Sequence, residues 1–352
     1  MRTLVVLVVL LAGTATAPAQ TPWPAERPPR SLPAREVAFP PYHVRTLPNG
    51  LRVVAVLHHE QPAVSMRMIV GAGAAMDPPD KLGVAVLTAA LLTQGTATQS
   101  ASELNEAIDF IGGGIGAGAG TDLTFVNAVV MKDSFEFGLR TVADMVRRPA
   151  FAPEEVERQR QQTLSGLRVS FEDPAFLADA VFGRLVYGFH PYGLLQTGTP
   201  DTIAGITRAD IQAYHRRYFV PNNAILAVVG DVTADEAFNA VQRVFGDWAR
   251  VELPPRAATQ PPSPTRRVVV VDKSDAVQTE IRVGHLGLPR NHADHMALSL
   301  AIRILGGEGA NRLYQVLRTE RGLTYGAQAD TNALKGAGDI EASTNTRSDA
   351  TT

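Results

Sequence analysis

Three observations predict an α/β (α+β) chain built from two similar parts. Short runs of β-branched residues alternate with longer segments whose apolar residues recur every three or four positions. A stretch with five prolines and no periodicity, residues 250–265, interrupts that alternation and reads as a semi-rigid linker. The order strand, turn, helix, glycine stop occurs on both sides of it: Ser65–Gly73 leads to Gly83–Leu92, and Thr279–Gly287 leads through Pro289 to Ala293–Leu305. A length of 352 residues gives room for two domains, and 45% hydrophobic against 19% charged residues gives each a core.

Composition also removes several function classes. A net charge of −2 gives no electrostatic case for nucleic acid or an anionic membrane. The absence of cysteine removes disulfides, thiolate metal sites, a cysteine nucleophile and a lipoprotein anchor.

Taken in order, residues 1–19 read as a signal peptide. Arg2 is the positive start, Leu4–Leu11 an apolar run too short to span a bilayer, and Ala15-Thr16-Ala17 and Ala17-Pro18-Ala19 the alternative cleavage motifs. Export is expected, to the periplasm in a Gram-negative source and otherwise to the medium, with no membrane span after cleavage. Residues 20–42 lack periodicity and read as an extended arm. Arg45–Val56 reads as strand, Asn49-Gly50 turn, strand, and Ala63–Val70 as a further strand.

Asp77-Pro78-Pro79-Asp80 then opens a buried helix within Gly83–Thr96, with Val84, Leu87, Leu91 and Leu92 at helical spacing. A short helix, Leu104–Ile111, is expected behind a Ser100 or Ser102 cap. Gly112–Gly120 lacks the G-K-[ST] ending of a phosphate loop and runs into a strand at Leu123–Met131, so it reads as a Gly-rich turn and strand edge where backbones approach closely.

Helices are expected at Asp133–Arg147, Pro153–Glu172, Ala175–Tyr187, Thr207–Tyr218 and Ala234–Trp248, with a strand at Ala224–Val229. Pro153, Glu154 and Glu155 suit the positive end of their helix. Past the linker, Arg266–Asp272 with its four valines and Ala276–His285 read as strands, Asn311–Tyr325 opens as a helix stopped at Gly322, and Gly338–Ser343 is a strand. A second part equal to the first would need on the order of 200 residues, so the second is expected to be truncated. The boundaries are thus 43–249 for the first domain and 266–352 for the second.

No histidine pair forms H-x-x-E-H or H-E-x-x-H, and no G-x-S-x-G elbow is present. His58-His59-Glu60 reads as a polar turn, His292 and His295 as polar residues at a helix start, and His190 as a packed loop histidine.

The segment GVAVLTAALLTQGT resembles the signature helix of the M16 metallopeptidases (pitrilysin, insulinase, mitochondrial processing peptidase), G-L-A-H-F-L-E-H-M-L-F-K-G-T. Gly83, Ala85, Leu92, Gly95 and Thr96 match, but Val86 and Ala90 stand at the two zinc-histidine positions and Ala89 at the catalytic glutamate. R-P-A-F-x-P-E-E-V-E-R-Q-R also resembles the family, yet Ser165-Gly166 occupies the place of the third ligand's Glu-Glu pair. The L-x-N-G-L-R-V, H-P-Y-G, R-Y-F-x-P-x-N-A and V-V-G-D-V segments fit as well. NRLYQVLRTERGLTY is similar to the family's second-domain segment, whose Arg and Tyr contact the substrate backbone; the matching residues are Arg318 and Tyr325.

The resemblance implies two M16-type domains, each a mainly antiparallel sheet packed with helices. It implies a non-catalytic subunit without its own cofactor, in which zinc belongs to a zinc-bearing M16 partner and Arg318 and Tyr325 hold the peptide substrate. The alternatives are a stand-alone pseudopeptidase that binds peptides or serves as a scaffold, and an active zinc peptidase with a displaced site.

Overall fold

The turn at Asn49-Gly50 shows how local chemistry starts the fold. Asn49 Nδ2 donates to the carbonyls of Phe245 and Trp248, at 2.7 and 3.1 Å, and Gly50 takes φ +92°, where a side chain would also meet Asn222. The strands it joins are β1 (Tyr42–Thr46) and β2 (Arg52–Leu57), paired antiparallel. The computed structural model describes residues 33, 38–254, 260–307, 309 and 311–351; the expected signal peptide and most of the N-terminal arm lie outside them. From Pro40 onward the chain packs as one compact body.

β3 (Ala63–Val70) leads through Asp77–Asp80 to helix α1 (Val84–Leu91) and then α2 (Ala101–Phe110). Ser100 caps α2 in a capping box with Glu103. β4 (Gly114–Ala119) and β5 (Thr124–Met131) form a hairpin, followed by α3 (Phe135–Arg147), α4 (Pro153–Glu172) and α5 (Pro174–Tyr187). Between the expected helices Ala175–Tyr187 and Thr207–Tyr218 lies a further short helix, α6 (Pro200–Gly205). Thr199 and Thr202 cap it reciprocally, so these threonines are its N-terminal signal. α7 (Arg208–Tyr218), β6 (Ala224–Gly230) and α8 (Ala234–Phe245) complete the first part.

Among the described residues the first sheet has the order β1-β2-β6-β3-β5-β4, antiparallel except where β2 and β6 run parallel. Alternate residues of β3 (Val64, Met66, Met68, Val70) and of β6 (Leu226, Val228) are fully buried, and the amphipathic α3 and α8 cover them. β4 is one edge of this sheet and β1 the other. The expectation of close backbone approach holds at Gly113, where a Cβ would lie 3.1 Å from the Val129 carbonyl, but not along β4: at Gly118 it would press on the Phe125 ring, and at Gly114 and Gly116 it would meet nothing within 4 Å.

In the second part β7 (Gln278–Gly287), α9 (His295–Ile302), β8 (Ala327–Ala333) and β9 (Gly338–Arg347) give a sheet of order β7-β9-β8, all antiparallel. α9 passes into a π-helical turn at Arg303–Gly307. α10 (Arg312–Tyr314) does the same at Gln315–Glu320. The valine run does not form the expected strand: Val268–Val271 has no regular structure and is exposed. Four β-branched residues favour extended backbone, but a strand also needs a hydrogen-bonded neighbour, and this one has none among the described residues.

The H-P-Y-G turn joins the two sheets. Tyr187 Oη donates to Asp339 at 2.7 Å, Tyr192 Oη donates to Asp122 at 2.8 Å, and Tyr192 Oη accepts from the Gly336 N–H. Arg282 of β7 binds Asp179 of α5 at 2.6 Å and also Glu280 and Glu341. Burial pushes the Asp339 carboxyl above its usual range, and burial beside that carboxyl raises the Tyr187 phenol.

Candidate functional site

α1 is held from its N-terminus. Gly83 caps it at φ +95°, and the Asp77 carboxylate accepts from the N–H groups of Gly83 and Ala85, at 2.7 and 3.1 Å. Burial pushes the Asp77 carboxyl up to about 7, although the N–H groups of Gly83, Ala85 and Val84 hold it down. The folded chain therefore keeps a proton that the unfolded chain releases between about pH 4 and pH 7, and stability falls as pH rises through that window. A carboxyl raised from 3.8 to about 7 would be worth ~4 kcal/mol, but the side chain is only half-buried, so about 2 kcal/mol is expected. Urea unfolding at pH 4 and pH 8 checks this: wild type should lose about 2 kcal/mol more between them than Asp77→Asn.

α1 packs against α4 and α7. Val86 and Ala90 lie one turn apart and are half-buried, while Ala89 is fully buried among the core. Ser165 and Gly166 are exposed positions of α4. The neighbouring Thr88 hydroxyl is buried with no hydrogen-bond partner. Valine and alanine carry no lone pair for a metal and no group to move a proton, so these residues do not fit a His₂Glu zinc site. Among the described residues no group of three or more His, Asp or Glu is placed to hold a metal ion.

The histidines weighed in the sequence are held locally. His59 Nδ1 lies 2.6 Å from Asp231, which also binds Lys132, and His58 approaches Glu60. His292 Nδ1 accepts from the Asp294 N–H, whereas His295 is buried against Arg290, so the two do not converge. His190 is buried and accepts from the Tyr192 N–H.

Arg318 and Tyr325 are brought together. The Arg318 guanidinium donates from Nη1 to the Tyr325 carbonyl at 2.7 Å, and its carbon sits 5.0 Å from the centre of the Tyr314 ring. Arg318 lies in the π-helical turn, and both it and Tyr325 are exposed, Tyr325 by 82%. A cavity of about 510 Å³ opens beside them, lined by Tyr325, Tyr314, Asn311, Glu280 and Asn345 among others. One guanidinium N–H is used by the Tyr325 carbonyl, which leaves other donors of the five free to face a ligand. Tyr314 is the contributor that reading the sequence missed, and its signal was there: it precedes Arg318 by four residues on a helix, the spacing that stacks neighbouring side chains.

Residues 52–183 match the family model described as Insulinase (Peptidase family M16), and residues 205–351 the one described as Peptidase M16 inactive domain. An uncharacterized zinc protease of Mycobacterium leprae is 31% identical over 80% of this chain and 63% of its own length; one from Mycobacterium tuberculosis is 30% identical over 84% and 68%. The chain thus spans about two thirds of the length of these relatives. Among solved structures, the peptidase M16 inactive domain from Pseudomonas fluorescens superposes with a TM-score of 0.83 at 27% identity, covering 87% of this chain and 74% of that one. The first half of the periplasmic protease PqqL from Escherichia coli shares the fold, with a TM-score of 0.69 at 17% identity over 89% and 70% of the two chains. A family model on each part and a relative at 30% identity along most of the chain lead to one assignment: the chain belongs to the M16 peptidase family.

Proposed function

We propose that this chain is a zinc-less M16 subunit that holds an extended peptide for cleavage by a zinc-bearing M16 partner. The observation that carries this reading is a contrast. The helix in the place of the zinc helix is capped, buried and intact, yet Val86, Ala89 and Ala90 offer it no reactive atom. Arg318 and Tyr325 are meanwhile retained and joined beside a polar cavity. Arg318 would donate to a peptide carbonyl, and the Tyr325 phenol to a second carbonyl or a developing oxyanion. The edge strand β4, with open space over Gly114 and Gly116, suits an extended peptide that pairs through its backbone. Export fits the apolar N-terminal run and the periplasmic description of a structural neighbour.

Zinc quantification and peptidase assay, on the chain alone and mixed with a zinc-bearing M16 subunit, test the reading. The chain alone should carry no stoichiometric zinc and cleave nothing, and the mixture should cleave. Cleavage by the chain alone with one zinc per chain would overturn it. Because the Arg318–Tyr325 contact forms within the single chain, peptide binding without cleavage and without a partner would favour the stand-alone peptide binder instead.

A further inference from the structure

The cavity beside Arg318 and Tyr325 has a wall that backbone contacts to a peptide leave unused. Glu280 and Arg282 of β7 form it, with Asn345 of β9 directly opposite Glu280. Arg282 has little left to offer a ligand, because its side chain is only 9% exposed and its N–H groups are already engaged. Nε faces Asp179 at 2.6 Å and Glu341 at 3.1 Å. Nη1 donates to Glu280 at 2.9 Å and to the Ile281 carbonyl at 3.2 Å, and Nη2 to the Ala175 carbonyl at 3.4 Å.

One guanidinium thus stands against three carboxylates, and the balance is negative. Asp179 is 59% exposed, so solvent and salt screen it. Glu280 is the carboxylate of the three that lines the cavity, and its side chain is only 17% exposed, so its charge is felt there in a poorly solvated space. Among the described residues no other cation lines the cavity, since Arg318 is turned to the Tyr325 carbonyl and the Tyr314 ring. Tyr325 stands at the cavity, 82% exposed, with a ring face that a cation can share.

We propose, on the basis of the peptide-holding role above, that this cavity receives a lysine or arginine side chain of the bound peptide, with Glu280 as the specificity-determining residue and the Tyr325 ring beside the charge. About 510 Å³ holds a long side chain together with water around its head. A glutamate side chain would meet Glu280 as a like charge. An apolar one would cover Glu280 and return no hydrogen bond.

Equilibrium binding to the full chain tests this, read by fluorescence anisotropy of labelled peptides. The peptides share an uncharged extended sequence and differ at one residue, which is lysine, norleucine or glutamate. At low salt the lysine peptide should bind about tenfold tighter than the norleucine peptide, with the glutamate peptide weakest. That ratio should shrink as salt rises. Glu280→Gln keeps an oxygen for Arg282 but removes the charge, so it should bring the lysine-to-norleucine ratio to about one. A merely structural role for Glu280 would weaken all three peptides alike and leave the ratio at its wild-type value. Equal binding of the lysine and norleucine peptides to wild type overturns the proposal while the peptide-holding role stands, and so does a lysine preference that survives Glu280→Gln. Tightest binding of the glutamate peptide also overturns it, making Arg318 the selector. If no peptide binds at millimolar concentration, the proposal and the peptide-holding role fall together.

Discussion

Arg318→Ala is expected to lower partner-dependent peptide cleavage roughly 10- to 100-fold, the range of a lost charge-assisted hydrogen bond of about 1.5–3 kcal/mol. The unfolding temperature should not move, because Arg318 is exposed and its one short bond is to the Tyr325 carbonyl. Arg318→Lys should recover little, since a point charge cannot reproduce the planar fork. Tyr325→Phe, which removes one hydroxyl from an exposed ring, should cost roughly fivefold or more. Tyr314→Ala should raise KM more than it lowers kcat, because Tyr314 only seats the guanidinium from 5.0 Å away. Steady-state kinetics of the mixture check all four. Unchanged kinetics in Arg318→Ala would remove this residue from the substrate site.

Gly83→Ala is expected to destabilise the chain by about 3 kcal/mol or more. The residue takes φ +95°, where a side chain costs about 1 kcal/mol, and a Cβ there would come within 2.5 Å of Ile203 Cδ1 and 2.8 Å of the Thr197 carbonyl. The carbonyl is backbone and cannot swing away. Gly166→Ala is the matched contrast. It lies inside α4, exposed, with nothing within 4 Å of its Cβ, so it should stabilise by about 0.5–1 kcal/mol. Urea unfolding of the two variants separates them by sign. Gly166 also belongs to the Ser165-Gly166 step that the M16 resemblance sets in the place of the third ligand's Glu-Glu pair, so a gain there would be that of an ordinary helical residue.

The first part was legible because its signals are local. Ala63–Val70 and Pro153–Glu172 have the ends that alternation and the Pro-Glu-Glu start predict. Asn49-Gly50, Ser100 and Thr207 act as the turn and caps that their chemistry suggests. What failed depended on neighbours distant in sequence. Val268–Val271 has strand chemistry without a strand partner. The exception is local: the Thr199 cap belongs to a helix too short for periodicity to reveal. The site divided the same way. The missing donors at Val86, Ala89 and Ala90 can be read from letters alone, but the bond from Arg318 to the Tyr325 carbonyl and the cavity beside it arise only when the chain turns back on itself.

The parallel pairing of β2 with β6 has a consequence for the order of assembly. β6 is the inner strand that separates β2 from β3, yet Ile225 must find Arg52 across most of the first part. β1, β2 and β3 are therefore synthesised well before the strand that unites them, and at about 5–20 residues per second they wait on the order of ten seconds or more. During that wait the β1–β2 hairpin and the three strands β3–β5–β4 can form from nearby sequence, but their facing edges stay open. Closure of so long a loop makes folding slow, and the rate-limiting event should be the insertion of Ala224–Gly230 between two preformed halves.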